Sequence, residues 1–444
     1  MSHLGLEALR RILGGEGGPR ERESAADHLL SCDRCRLQAT TLVDELRTKS
    51  PGLRREGPLQ LVLDLIERER QSGVESLVAF AERTEVRRLP SRRSQRDRVR
   101  MTKACHTIAF FKLVLAELKE EPSWDEAEFL ASLALLAVEA MSQRQQITQA
   151  SSNDLQAEVW TAVANARRLA AEWKRADQAL ANAERHLKEG TGEPFLKAGL
   201  LSITASTLAE MGHESRALDA LEGCRAIYQN LSEWALLGRT LVQKANILVE
   251  TDPSEGLVAL DHAAPLIPGE DSYLTLLAEL LRARCLIELQ EPTAALQVFQ
   301  RSSPLLIGNP RIRLRIRGRF TCALLLDALD SKQQAERLFD DVVDRDIEHE
   351  LYKDAFLDLL YLYGVHVKAG HGDKAARVCR RALTDPALSG IAHDQLRAVW
   401  TQLLETATAQ KQPVSPDSLK DLRQYVNVYW KSPAPVAPEI AFRG

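Results

Sequence analysis

Three side chains that can bind a metal stand close together near the N-terminus. His28, Cys32 and Cys35 form the pattern His-x3-Cys-x2-Cys within AADHLLSCDRCRLQ. Positions i and i+4 share one face of a helix, so His28 and Cys32 can reach the same ion. The Cys-x2-Cys step then turns the chain so that the second thiolate joins them. Because imidazole and thiolate are the ligands that zinc prefers, the spacing predicts a zinc site.

A structural zinc ion takes four ligands in a tetrahedron, so one ligand is still needed. The best candidate is His3, which precedes His28 by 25 positions. Four protein ligands leave no open position for a substrate water, which favours a structural ion over a catalytic one. A thioredoxin-like redox pair or two incidental cysteines remain as alternatives. A haem attachment would need a histidine where Arg36 stands.

The spacing His-x24-His-x3-Cys-x2-Cys, from His3 to Cys35, resembles that of the zinc-binding anti-sigma factors of bacteria. The resemblance covers about residues 1–87. It implies a small helical domain that binds zinc and holds an extracytoplasmic-function sigma factor away from RNA polymerase. Redox-sensing members of that family place a cysteine where this chain has His3. The resemblance therefore implies structural Zn²⁺ rather than a three-cysteine redox switch.

Most of the remaining chain repeats with a period near 40 residues. Each unit has an apolar helical segment, a short polar break, and a second helical segment with a small residue near its start. The successive spacings of these small residues are 41, 39, 39, 40 and 40, and their positions are Ala176, Ala217, Gly256, Ala295, Ala335 and Ala375. A small residue there lets two helices approach closely, and the apolar faces of the pairs are buried by stacking.

The pattern resembles tetratricopeptide repeats in a longer variant of about 40 residues, and armadillo or HEAT-like repeats are the alternative of similar period. We predict an all-α fold: a small zinc-binding helical domain followed by a tetratricopeptide-like α-solenoid. The predicted divisions are the anti-sigma-like domain at 1–87, a basic linker at 88–103, helical repeats at 104–410, and a terminal helix with a Pro-rich tail at 411–444. Ser415 is the predicted N-cap of that terminal helix, with Pro416 in its first turn.

Two arginine-rich stretches have more than one interpretation. The first surrounds Pro90 and is either a solvated linker or helix face, a contact for acidic protein surface or phosphates, or a site of cleavage. Its members are Arg87, Arg88, Arg92, Arg93, Arg96, Arg98, Arg100 and Lys103. The second is NPRIRLRIRGRF, where arginines alternate from Arg311 to Arg319 as in a strand, although the repeat register requires a helix. On a helix these arginines either hold an acidic ligand in the groove or form salt bridges between repeats.

Composition limits the other functions. The formal net charge is −4, so direct nucleic-acid binding is not expected, and no apolar run is long enough to span a membrane. An odd number of cysteines, 7, and an N-terminus without a secretory pattern predict a reduced, cytoplasmic location. No nucleotide-binding, hydrolase or zinc-protease motif occurs, so an enzyme is not expected. The isolated histidines are interpreted as core or surface residues: His106, His262, His366, His371 and His393.

The leading hypothesis is a cytoplasmic transcription regulator of bacterial type. Its N-terminal domain would sequester a sigma factor, and its repeat groove would bind a protein or peptide that carries the signal. Sigma-factor release would follow partner docking or separation of the two parts by cleavage. The competing hypothesis is a non-enzymatic interaction scaffold in a larger assembly, in which a zinc cap only stiffens one end.

Overall fold

The computed structural model describes residues 6–13, 75–120, 123–269, 271–409 and 414–429, together with positions 25, 28 and 39. These residues are helical with short connections and contain no strand, which confirms the all-α prediction for the described part of the chain. The chain forms two compact units. One comprises residues 1–120 and 128–148, and the other comprises residues 121–127 and 149–444. None of the described helices combines the length and hydrophobicity that a membrane span requires.

The described helices of the first unit are short or of medium length. They are α1 (Leu6–Leu13), the described part of α2 (75–88), α3 (Arg92–Met101), a 3-10 turn (Lys103–Cys105), α4 (Ile108–Glu120) and α5 (Trp124–Gln143), whose first four residues, 124–127, belong to the second unit. Ser91 starts α3 with a capping box, in which its hydroxyl accepts from the backbone N–H of Ser94. The stretch predicted as a basic linker thus contains a helix. Its Arg92 and Arg96 guanidinium groups lie 5.1 and 5.3 Å from the centre of the Phe129 ring.

The second unit begins with six antiparallel helix pairs. They are α6 (Gln149–Leu169) with α7 (Trp173–Lys188), α8 (Pro194–Glu210) with α9 (Glu214–Asn230), α10 (Trp234–Leu248) with α11 (Pro253–Ala263), α12 (Ser272–Glu288) with α13 (Pro292–Leu306), α14 (Ile312–Ala328) with α15 (Lys332–Glu348), and α16 (Tyr352–Lys368) with α17 (Gly372–Thr384). Three further helices follow: α18 (Pro386–Ser389), α19 (Asp394–Thr408) and α20 (Pro416–Tyr429). Each helix packs against its partner and against the next pair, as in a solenoid.

The six small residues of the repeat occupy equivalent places in the structure. Each is the fourth residue of the second helix of its pair, and each is buried. The alanines are fully buried, and a Cβ added at Gly256 would lie 3.1 Å from the Cys285 Sγ. Cys285 belongs to α12 of the next pair, whereas the nearest atoms of the partner helix α10, Ala245 O and Leu248 Cβ, would both lie at 3.8 Å. The small side chain is therefore required by close packing just after the turn, both within the pair and against the next one. The period read from the sequence is the period of the helix pairs.

A second regularity lies five residues before each small residue, where the first helix of the pair ends. Five of the six positions have a positive φ: Ala171, Gly212, Gln290, Asp330 and Gly370. A residue in the left-handed region ends a helix because it turns the backbone out of the helical path. The exception is Thr251. There, Asp252 caps the next helix by accepting a hydrogen bond from the backbone N–H of Glu255, and Pro253 follows in the first turn.

The second arginine-rich stretch is helical, as the repeat register requires. It forms the first half of α14, where the arginines are exposed and the intervening Leu314, Ile316 and Phe320 are buried. Arg319 donates to Asp341 Oδ2 at 2.7 Å, which ties α14 to its partner α15. Arg311 lies 4.3 Å from the centre of the Tyr273 ring on the preceding pair. These contacts hold helices together, within a pair and between neighbouring pairs.

Candidate functional site

The inner face of the repeats is formed by the first helix of each pair. Consecutive first helices from α6 to α14 contact one another, whereas consecutive second helices make few or no contacts in the described part of the chain. Elements that lie closer together are on the inside of a curve. The stack therefore bends with α6, α8, α10, α12 and α14 along its concave side, which is where repeat proteins of this kind bind their partners.

A helix from the same chain lies on this inner face. Helix α20 packs against α16, and four of its side chains are buried: Leu419, Leu422, Tyr425 and Val426. Spacings of three and four place these residues on one side of the helix. Gly364 of α16 gives room for the contact, because a Cβ there would lie 3.2 Å from Leu419 Cδ1.

Polar contacts extend from α20 to distant repeats. The Gln424 side-chain amide donates to the Gly212 carbonyl at 3.4 Å, at the turn between α8 and α9. The Tyr425 hydroxyl hydrogen-bonds Gln395 Oε1 at 3.1 Å on α19. Ser415 caps α20 as predicted, with its hydroxyl accepting from the Ser418 N–H at 3.0 Å. One short helix therefore links elements from both ends of the repeat stack.

Glu250, just after α10, is the centre of a polar cluster on this face. Its carboxylate accepts from Arg284 at 3.1 Å and from the Tyr361 hydroxyl at 2.5 Å, and it pairs with Arg423 of α20 at 3.8 Å. Lys420 of α20 donates to the Glu250 backbone carbonyl at 3.2 Å. Burial raises the pKa of Glu250, but the Arg284 and Arg423 charges outweigh it, so the pKa lies below the ordinary value. The carboxylate is ionised and holds α20 by charge.

A second half-buried carboxylate, Glu210 at the end of α8, also joins distant helices. It pairs with Arg168 of α6 and with Lys353 of α16, the latter at 3.5 Å. Although burial raises the pKa of Glu210, the Lys353 and Arg168 charges lower it below its ordinary value. Glu210 and Glu250 thus form ion pairs across the inner face, where α16 meets the earlier repeats.

Most of the predicted zinc site lies outside the described residues. His3, Cys32 and Cys35 are not among them, so the arrangement of the four predicted ligands stays a prediction. His28 is described: it is helical and half-buried. In α1, Leu9 and Ile12 are buried on one face, as expected for a helix of a small domain.

Three other metal-binding side chains converge in the repeats. Glu336 of α15, His366 of α16 and His371 at the start of α17 place one ligand atom each within 4.8 Å of one another. Burial lowers the pKa of His366 to about 4, so its imidazole is neutral at physiological pH. From the sequence, both histidines were predicted to be isolated core or surface residues. Their separation of five positions gives a weak signal, and Glu336 comes from a different helix.

Asp346 of α15 and Asp358 of α16 form a buried acidic pair. Within the described part of the chain, no group other than the facing Asp358 satisfies the carboxylate oxygens of Asp346. Burial raises the pKa of Asp346 to about 7, and burial together with the facing Asp346 raises that of Asp358 well above its ordinary value. Two such carboxyl groups contact each other only if they share a proton. The pair was not predicted, since each residue alone is ordinary for a helix.

Comparison with known proteins adds no relative: no protein-family model matches the chain, and no curated protein matches it in sequence.

Proposed function

We propose that the second unit is a protein-binding module whose inner face accepts an amphipathic helix. One observation carries this proposal, namely that α20 already lies there with its apolar side buried and its basic residues on Glu250. Helix-in-groove recognition uses such apolar anchors at spacings of three and four. In this state α20 acts as an internal ligand, and a partner helix of similar pattern would have to displace it.

We further propose that the N-terminal region is an anti-sigma domain, as its resemblance implies. Zn²⁺ bound by His3, His28, Cys32 and Cys35 would stabilise it, and an extracytoplasmic-function sigma factor would be its partner. The helical state of the described positions 6–13, 25, 28 and 39 supports a small helical domain. Together the two parts would form a cytoplasmic regulator in which a signal protein binds the repeats and a sigma factor binds the N-terminal domain.

The groove proposal is tested with a labelled synthetic peptide of residues 414–429. In the full chain, Leu422→Asp places a charge in the apolar contact and should release α20 from the inner face. The labelled peptide should then bind this variant at least about tenfold more tightly than the wild type, because the wild-type groove is already filled. Asp421→Ala changes the exposed neighbour and serves as the matched control. Equal peptide affinity in wild type and Leu422→Asp contradicts the proposal.

The anti-sigma proposal is tested by co-purification with extracytoplasmic-function sigma factors from the same source. Cys32→Ser and Cys35→Ser should abolish both zinc retention and sigma binding. Cys322→Ser, in a half-buried position of α14, is the matched control and should change neither. His3→Ala should weaken zinc binding if His3 is the fourth ligand.

A zinc-loaded, folded chain that binds no sigma factor would instead favour the second candidate function, an interaction scaffold with a structural zinc cap. The groove around α20 fits that function equally well, because it requires only a protein partner. The sigma-binding experiment therefore separates the two functions, and the peptide experiment tests what they share.

A further inference from the structure

Glu336, His366 and His371 meet where α15, α16 and α17 come together. The Nδ1 atoms of His366 and His371 lie 3.4 and 3.8 Å from Glu336 Oε1. In a tetrahedral zinc site with bonds of about 2.0–2.1 Å, neighbouring ligand atoms are about 3.4 Å apart. The two Glu336–histidine separations are close to that value, and all three ligand atoms lie within 4.8 Å of one another, so side-chain rotation could bring them onto one ion.

The second observation is an unpartnered nitrogen. The His366 side chain is only 6 % exposed, yet its Nδ1 has no hydrogen-bond partner. A buried polar atom without a partner costs roughly 1–3 kcal/mol, so it requires an explanation. This nitrogen faces the Glu336 carboxylate, and an imidazole nitrogen without a hydrogen bond can offer its lone pair to a metal.

We propose that Glu336, His366 and His371 bind one Zn²⁺ ion, separate from the site predicted at the N-terminus. Two imidazoles and one carboxylate form a zinc ligand set, and a solvent molecule would supply the fourth ligand. The His371 side chain is 46 % exposed, so the ion can enter from solvent on that side. The proposal does not depend on the sigma factor or on α20.

Lys374 competes with the ion for the Glu336 carboxylate. Its Nζ lies 2.8 and 2.6 Å from the two oxygens of Glu336, and it satisfies the carboxylate in the described structure. Zinc binding would displace this ammonium, whose side chain is 32 % exposed and can turn into solvent. Zinc affinity is therefore limited by the lysine, and removing its charge should strengthen binding.

A bound ion would connect two repeats. Glu336 belongs to the fifth helix pair, whereas His366 and His371 belong to the sixth. The His371 backbone N–H donates to the His366 carbonyl at 2.9 Å, so both histidines are fixed by the same turn. Zinc would add a bond between neighbouring pairs that are already joined by side-chain packing and by the ion pairs of Lys374 with Glu336 and of Arg381 with Asp340 and Asp344.

Zinc content of the full chain tests the site. After zinc loading and removal of free metal, Glu336→Gln and His371→Ala should each contain one zinc per chain less than the wild type. Their affinity for Zn²⁺ at this site should fall about 100-fold or more, since each loses a direct ligand. His262→Ala, an exposed histidine of α11, is the matched control and should retain the wild-type content. Equal zinc content in wild type and His371→Ala, with both folded by circular dichroism, overturns the proposal.

Two further variants separate this site from the N-terminal one. A chain with Cys32→Ser and Cys35→Ser should still bind one zinc, and X-ray absorption should show nitrogen and oxygen ligands without sulfur. Lys374→Gln should bind Zn²⁺ about tenfold more tightly, because a like charge beside the ion is removed. Lys332→Gln, on the neighbouring helix α15, is its control. Sulfur ligands in the cysteine variant, or unchanged affinity in Lys374→Gln, would contradict the assigned position of the ion.

Discussion

Asp346 and Asp358 hold a proton inside the repeats, and this makes the stability of the folded chain depend on pH. The ordinary pKa of an aspartate is 3.8, and burial raises that of Asp346 to about 7. At a pH between 3.8 and about 7, the folded chain keeps a proton on the pair that the unfolded chain releases. The contribution of the pair to the free energy of unfolding is therefore greatest below pH 4 and is lost as the pH rises to about 7.

Asp346→Asn should remove the loss of stability that the wild type shows as the pH rises to about 7. The amide is neutral at every pH and can donate to Asp358, so the variant should be more stable than the wild type at pH 8. A gain of about 1 kcal/mol or more corresponds to roughly 2–4 °C in the melting temperature. Thermal melts at pH 5 and pH 8 measure it, and the difference between wild type and variant should be larger at pH 8. Asp344→Asn, an exposed aspartate of the same helix, should show no such gain.

Protonation of Glu250 at low pH should destabilise the folded chain, the opposite of what is expected for the aspartate pair. Its pKa is below the ordinary value of 4.5 because Arg284 and Arg423 stabilise the charged form. Its contribution to stability is present above pH 4.5 and is lost as the pH falls through the folded pKa. Glu250→Gln should lower the free energy of unfolding by about 2 kcal/mol at pH 7, since two half-buried guanidinium groups lose their counter-ion. Urea unfolding at pH 7 and pH 3.5 checks this, and an undiminished difference at pH 3.5 would contradict it.

At the scale of single elements, the fourth position of each second helix determines how closely a pair can pack. Ala176 of α7 is fully buried, whereas Ala181 of the same helix is exposed. Ala176→Leu should lower stability by about 1–3 kcal/mol or more, because the extra atoms have no space between α6 and α7. Ala181→Leu changes the same residue type on the same helix and should stay within about 0.5 kcal/mol. Chemical denaturation of both variants compares them, and equal losses would mean that helix propensity, not close packing, selects the small residue.

The repeat could be predicted from the sequence because its signal is local. Each small residue lies a fixed distance after the turn of its helix pair, and Ser415 caps the first turn of α20, so both positions could be recognised from nearby residues. The location of α20 could not be predicted, since its anchors Leu419 and Leu422 would suit any apolar surface. The cluster of Glu336, His366 and His371 was missed because its members come from three separate elements that only the tertiary fold brings together. The four-ligand set at His3, His28, Cys32 and Cys35 remains a prediction.

At the scale of the second unit, α20 changes how the repeats depend on one another. In a simple solenoid each pair contacts only its neighbours, so a local perturbation spreads little. Here Gln424 and Gly212 are 212 positions apart in sequence, and Lys420 and Glu250 are 170 apart. Glu210 and Lys353 add a direct ion pair between α8 and α16. The inner face is therefore tied together by contacts that bypass the intervening pairs.

Leu422→Ala should loosen several separated repeats at once. The side chain is 1 % exposed, and its truncation should cost about 2–4 kcal/mol through lost burial and the cavity that remains. Because α20 contacts α16, α19 and the ends of α8 and α10, amide hydrogen exchange of the full chain should accelerate in those segments together. The outer helices α11 and α13 should change least, since their described residues make at most marginal contact with α20. If exchange accelerates only within α20 itself, the helix does not couple the separated repeats, and the inner face is stable without it.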